Sequence, residues 1–240
     1  MARELVIPPK YPYVYETHLH TSNGSACGNN TAQEMVNACK KAGYTGIIVT
    51  DHFYGGNTCI SKDLPWEEWV EQYYACYEAA KEEGDRIGLQ VFFGWEQSFE
   101  GNDFLVYGLD KEWLLAHPEI KDAFVDKQYE MVHKDGGIVI HAHPFREEWY
   151  VKETRLFPEY VDGVETSNAA HIVNKALEDG SVPFDDKARA YAKKYNFPET
   201  GGSDIHSVDL FAGGMAFKRK LTDIHDFTKA VLSREGIVLS

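Results

Sequence analysis

The sequence predicts an α/β fold whose mainly parallel strands form a barrel, and three observations predict it. Strand and helix signals alternate along the chain, with no internal repeat and no Pro/Gly/Ser-rich linker. The length of 240 residues suits one barrel-sized domain spanning residues 1–240. Five strand-like runs end in residues that bind metals. They are Tyr11 to His18-Leu19-His20, Ile47 to Asp51-His52, Val91 to Glu96, Ile138 to His141-Ala142-His143, and Gly202-Ser203-Asp204-Ile205-His206. A parallel barrel carries all such ends to one face, where enzymes of that architecture place their chemistry.

The first strand follows from the aromatic and β-branched run Tyr11 to Tyr15. Side chains alternate along a strand, so His18 and His20 fall on one side, together with Glu16, which is read as supporting the ligands. A polar loop, Thr21 to Gly28, leads to the capping-box pattern Thr31-Ala32-Gln33-Glu34, a helix to about Lys41, and a stop at Gly43. A strand over Tyr44 to Thr50 delivers Asp51 and His52. Pro65 and early glutamates open a helix that Gly84 is expected to end near Glu83. Leu89 to Trp95 reads as the third strand, delivering Glu96, and Asp103 to Asp110 as the fourth.

One or two helices cover Lys111 to Lys134, interrupted near His117-Pro118. The strand at Ile138 follows Gly136-Gly137, and Val161 to Thr166 reads as a short sixth strand. Helices are predicted at Ile172 to Glu178 and Asp185 to Tyr195. Phe197 to Asp204 is a strand running into a glycine-rich turn, Met215 to Leu221 the last strand, and Asp223 to Arg234 a final amphipathic helix.

Composition narrows the class. No run approaches the roughly 18 apolar residues of a membrane helix, and the N-terminus has an acidic residue and two prolines where a signal peptide is apolar. The expectation is a cytoplasmic protein with no membrane partner. The four cysteines, Cys27, Cys39, Cys59 and Cys76, form no CxxC pair, so free thiols are expected. The net charge of −14 shows no basic stripe, which argues against a stable nucleic-acid partner. An enzyme this acidic that handles phosphate must bring in positive charge, and bound divalent metals supply it.

A lone His-x-His pair is more often packed or solvated than ligating. Here six of the ten histidines sit at inferred strand ends, with Asp51, Glu96, Asp103 and Asp204. That donor set suits zinc, iron or manganese, and it exceeds the needs of one tetrahedral ion. Two or three ions with a bridging carboxylate such as Glu96 hold a hydroxide and stabilise both oxygens of an in-line displacement at phosphorus. Phosphoester hydrolysis of a small phosphorylated substrate is the expected activity. Amide or lactone hydrolysis on the same metals is the chemical competitor, and a metal-stabilised binding module is the non-catalytic one.

The segments His18-Leu19-His20, Thr50-Asp51-His52, Gly94-Trp95-Glu96, Ala142-His143-Pro144 and Gly202 to His206 occur in an order that resembles the PHP superfamily (polymerase and histidinol phosphatase). The resemblance implies a distorted, TIM-like (β/α)7 barrel and up to three metals. His18, His20, Glu96 and Asp204 resemble the ligands of the first, Glu96 with His143 those of the second, and His52 with His206 those of the third. The sequence departs from the family pattern twice. The loop after His20 has no histidine, leaving Cys27 or water for the third metal, and Asp103 stands where members often carry a histidine for the second. Histidinol phosphate, nucleotides and short nucleic acids all remain open as substrates.

Other residues carry secondary roles. Arg146 is the preferred phosphate cation over Arg155, because arginine grips phosphate oxygens in a bidentate fork. His171 is a candidate acid for the leaving group. His141 shares a strand side with His143 and is a candidate supporting or substrate-contacting residue, with a buried structural histidine as the equal alternative. Asp51 is expected to support a turn or a ligand, not to ligate. Trp66, Trp69, Tyr73, Tyr74 and Tyr77 fall at helical spacing and read as core.

Overall fold

The structure, a computed structural model, describes residues 5–171, 182–209 and 213–239. The helix expected at Ile172 to Glu178 lies outside them. One nine-stranded sheet organises the rest, in the order β7-β6-β5-β4-β3-β2-β1-β8-β9. Its first half is built from parallel units. Strand β1 (Tyr13–Leu19) is followed by α1 (Ala32–Ala42), β2 (Gly46–Val49), α2 (Trp66–Ile87) and β3 (Gln90–Phe99). Helix α1 starts at the capping box of Thr31 and Glu34 and stops at the left-handed Gly43, as the sequence predicts.

The strict (β/α)7 pattern breaks after β3. That strand runs past Glu96 to Phe99 and turns back as β4 (Asn102–Tyr107), which is antiparallel to both of its neighbours. Glu96 therefore sits inside a strand, opposite Leu105, and not at a strand end. Helices α3 (Lys111–Ala116) and α4 (Val125–Lys134) flank a 3-10 turn at Pro118–Asp122. Parallel pairing resumes with β5 (Ile138–Ala142), β6 (Gly163–Asn168), α5 (Pro183–Tyr195) and β7 (Glu199–Gly202). The chain closes with β8 (Gly214–Phe217), α6 (Ile224–Leu232) and β9 (Ile237–Leu239), a three-residue strand the sequence did not announce.

The barrel closes at one end only. Leu19, at the end of β1, bridges Ile205 just beyond β7, and the two segments exchange backbone bonds at 2.9 and 3.3 Å. At the other end of β1, Tyr13 to Tyr15 pair instead with β8, which carries β9 on its far edge. Gly202 permits the closure, because a Cβ there would lie 2.5 Å from that of His18. Tyr15, Ile48, Phe92, Leu105, Tyr107, Ile140 and Phe217 pack together with Phe227 and Val231 of α6, which plugs the splayed end. The aromatic residues of α2 are core as expected: Trp69 and Tyr73 stack at 4.7 Å and pack with Phe53, Phe93 and Trp95. Among the described residues no helix is long and apolar enough to cross a membrane.

Helix α2 passes through Gly84, the expected stop, and ends one turn later at the left-handed Gly88. Gly84 is there for contact: an added Cβ would strike the Val91 side chain and come within 2.8 Å of the Leu89 carbonyl. Alanine is the better helix former by about 1 kcal/mol, but overpacking a tight contact costs about 1–3 kcal/mol. Gly84→Ala is therefore expected to lower the urea unfolding midpoint; a raised midpoint would show that the contact relaxes freely.

Candidate metal centre

The end of the barrel that closes is lined by buried ionisable groups. His18, His20, Glu96, Asp103, His143 and Asp204 are each 5% exposed or less. Four triads bring one ligand atom from each member within 4.8 Å of the others: His18-His20-Glu96, His18-His143-Asp204, Glu96-Asp103-His143 and His20-His52-His206. The eight histidine and carboxylate residues picked out as ligands in the sequence thus meet, although they come from six segments of the barrel.

The spacing among the ligand atoms fits shared cations. Ligands about 2.0–2.1 Å from a tetrahedral zinc lie about 3.4 Å apart. The Nε2 atoms of His18 and His20 are 3.2 Å apart, and they lie 3.2 and 3.4 Å from the Glu96 carboxylate oxygens and 3.5 and 3.4 Å from Asp204 Oδ1. His52 Nδ1 and Glu96 Oε2 are 2.8 Å apart, yet each is buried without a hydrogen-bond partner. The two atoms are at hydrogen-bond distance without the alignment of a hydrogen bond, and a cation shared between them would satisfy both.

The surrounding bonds fix which imidazole nitrogens are bare. The Ser25 hydroxyl spends its one proton on Asp51, 2.8 Å away, so His20 Nδ1, 3.0 Å from Ser25, must donate to it. His18 Nδ1 donates to Glu165 at 2.9 Å, and His206 Nδ1 donates to the Asp204 carbonyl at 2.9 Å. In all three, Nε2 is left to point into the cluster. Asp51 serves only as support, as expected: it accepts from the amide and hydroxyl of Thr21 as well as from Ser25.

Charge is balanced within the cluster itself. Burial disfavours the anion of Glu96, but the imidazoles of His52 and His18 hold its carboxyl well below the usual range. Burial likewise opposes the cation of His18, and Glu165, Asp204 and Glu96 outweigh it and raise its pKa. Burial and the neighbouring His206 and His52 push His20 down. Backbone is committed too. His143 and Asp204 hold positive φ angles of 26° and 50°, a conformation that costs a non-glycine residue energy and clusters at functional sites.

The positions named outside the eight divide. Cys27 lines the open side of the cluster with His52 and His206. Burial works against its thiolate, and hydrogen bonds from His206 and His52 overcome it, so the thiol is pushed down to about 6. Arg146 lies at the cluster, with NH2 2.7 Å from Asp103 Oδ2 and NH1 3.3 Å from Asp204 Oδ2. Asp103 thus faces Arg146 as well as His143, 4.0 Å away, and its other oxygen accepts from Ser98. Arg155 is turned away, paired with Glu100 and Glu153. His171 is buried behind His143, ring to ring at 6.0 Å, with Nδ1 3.1 Å from Asp185.

Two alternation arguments fail. Glu16 does not face the cluster: the register of β1 against β2 shifts between Glu16 and Leu19, and its carboxylate accepts from the amides of His18 and Ser203. His141 does not share the side of His143, because β5 ends at Ala142 and His143 has left the strand conformation. His141 is fully buried and stacked on Phe104 at 4.8 Å. One residue was missed. Glu165 binds His18 Nδ1, the His143 amide at 3.1 Å and the Asn168 amide group at 3.1 Å. It sits on β6 as a carboxylate in a short strand, the same signature that marked the other segments.

Above the ligands opens a cleft of about 710 Å³, lined by Cys27, His52, Asp103, Arg146, Asp204 and His206 at its floor and by Gly55 to Asn57, Ser98, Glu100, Trp149 and Tyr150 at its walls. Comparison with known proteins follows the same outline. A model of the PHP domain matches residues 16–196, and a PHP-associated model matches residues 184–235. No curated protein matches the chain.

Among solved structures, a two-domain protein from Bacteroides vulgatus, described as containing a predicted PHP-like metal-dependent phosphoesterase, superposes with a TM-score of 0.68. The two share 16% identity, over 99% of this chain and 68% of that one. A protein from Bifidobacterium adolescentis described as a metal-dependent phosphoesterase gives 0.53 at 16% identity, over 92% and 96%. An amidohydrolase from Chromobacterium violaceum, solved with sulfate and no metal, gives 0.55 at 14% identity, over 93% and 97%. At these identities the likeness concerns the fold. The family model, matched from Glu16 through Asn196 across most of the ligand-bearing strands, carries the conclusion that the chain belongs to the PHP domain family.

Proposed function

We propose that the chain is a metal-dependent phosphoesterase acting on a small phosphorylated molecule. The observation that carries this reading is the set of four ligand triads beneath a cleft that also holds a buried arginine. His18, His20, Glu96 and Asp204 are assigned to one ion and Glu96, Asp103 and His143 to a second. His52 and His206, with Cys27, would hold a third. Zinc, iron and manganese all suit these donors. Divalent ions so held supply Lewis acidity and an activated water for in-line displacement at phosphorus.

The protein's own groups do the rest. Arg146 is held by Asp103 and Asp204 with its guanidinium at the cleft floor, placed to bind a phosphate oxygen that the ions would not take. Glu165 fixes the tautomer of His18 and the backbone of His143. A proton donor must come within about 2.6–3.2 Å of the leaving oxygen, or reach it through one water. His171 is not part of the cleft wall among the described residues, so its pairing with Asp185 suits a prop behind His143 better than the acid role.

Amide hydrolysis, the activity named for the Chromobacterium violaceum neighbour, is the second reading. The placement of Arg146 beside the ligand cluster favours phosphate, whose several anionic oxygens exceed what the ions alone would take.

Three outcomes are expected. His20→Ala or Asp204→Ala should abolish turnover of an aryl phosphate while the far-ultraviolet circular dichroism stays unchanged, and chelation of the wild type should do the same until manganese, zinc or iron is restored. Full activity in either variant would sink the assignment. Glu165→Gln should weaken metal retention about 10–100-fold in a chelator competition, and unchanged retention would show that His18 needs no partner. In metal-free protein the alkylation rate of Cys27 should rise with pH to a midpoint near 6, because the thiolate is the reacting form. Metal should suppress that rate if Cys27 is a ligand and leave it unchanged if water takes its place.

A further inference from the structure

The cleft is much larger than a phosphoryl group and is of the size that buries a whole small molecule. Its floor is the ligand cluster, so whatever fills the remainder is the part of the substrate beyond the phosphate. The wall that faces this space is aromatic. Trp149 is 92% exposed, and Tyr150, 42% exposed, packs against it edge-on at 5.6 Å and 88°. Arg146 lies over the Tyr150 ring at 5.7 Å. A ladder of contacts therefore runs from Asp103 and Asp204 through Arg146 and Tyr150 to Trp149.

The position of these rings is fixed by the chain. Trp149 and Tyr150 are the central residues of a turn closed by the Val151 amide donating to the Glu148 carbonyl at 3.0 Å. The segment that follows is fastened to the β3–β4 hairpin. The Asn102 side chain accepts from the Arg155 amide at 3.0 Å and donates to the Glu153 carbonyl at 3.3 Å, and Arg155 pairs with Glu100 at 3.1 Å. Gly55, Gly56 and Asn57 line the same cleft and add little side-chain bulk to it.

We propose that Trp149, backed by Tyr150, is the specificity-determining surface of this cleft, and that the preferred substrates are phosphoesters whose far end is a flat, uncharged aromatic ring. The proposal rests on the phosphoester reading and deepens it. Stacking of one ring on an exposed aromatic side chain is strong enough to change affinity by about tenfold or more. Trp149 touches none of the groups assigned to metal or phosphate, so its removal should leave phosphate binding alone.

The test uses the metal-loaded protein and two non-hydrolysable probes, phenylphosphonate and methylphosphonate, titrated calorimetrically into wild type, Trp149→Ala and Trp149→Phe, with circular dichroism as the check on folding. The expected result is that wild type prefers the phenyl probe by about tenfold, that Trp149→Ala erases the preference while binding methylphosphonate as wild type does, and that Trp149→Phe keeps most of it. Equal binding of both probes by wild type, or an unchanged preference in Trp149→Ala, overturns the role of Trp149 and leaves the phosphoester reading standing. Failure of both probes to bind wild type overturns the phosphoester reading and this inference with it.

Discussion

The constraint on which this structure turns is the burial of many ionisable groups at one point. Six residues from five segments bring carboxylates and imidazoles to within hydrogen-bond distance of one another, each almost fully removed from water. Isolated charges of this kind are costly to bury, and their attraction for each other repays the cost only when every lone pair finds a partner. The chain does not supply all those partners. It supplies the outer ones, Ser25, Asp51 and Glu165, which settle where the imidazole protons go and leave the inner lone pairs facing a common space. Much of the fold follows from meeting this demand: Gly202 brings β7 against β1, and His143 and Asp204 accept unfavourable backbone angles to aim their side chains.

The hairpin of β3 and β4 is where the fold departs furthest from a simple barrel, and it matters for the site. In a regular unit Glu96 would stand on a loop. Here it lies within a strand that is bonded on both sides, which holds the carboxylate shared between triads more firmly than a loop would. The same hairpin presents Asp103 to Arg146. An imidazole at that position would offer the guanidinium no anionic partner, so the aspartate and the arginine are best understood as a matched pair.

What was legible in the sequence was local. Each metal-binding segment joins a strand signal to ligand residues within a few positions, and that needs no knowledge of the partner strands. Strand alternation worked for His18 and His20. It failed for Glu16, where the register shifts, and for His141, where the strand stops one residue early. Gly84 was read as a helix stop because glycine usually is one, whereas its place is set by Val91 across the helix–sheet contact. Glu165 carried the same local signature, a carboxylate on a short strand, but its role, like the pairing of Arg146 with Asp103, was out of reach because the partners lie 147 and 43 residues away. The nine-stranded sheet was hidden in the same way, since β9 is three residues long and acquires its meaning only from its pairing with β8.

The closure of the barrel between Leu19 and Ile205 has a temporal side. The bonds that seal the site join residues near the start of the chain to residues near its end: Thr17 bonds Gly201 across 184 positions and Glu16 bonds Ser203 across 187. A ribosome releases the first histidine pair long before Asp204 and His206 have been made. During that interval His18 and His20 are exposed to any soft metal the cell offers, with neither the geometry nor the carboxylates that will later discriminate. Any discrimination among metals would therefore wait until the segment carrying Asp204 and His206 has been made and has docked, completing the donor set. The order of the segments along the chain thus couples completion of the donor set to the docking of that segment on β1.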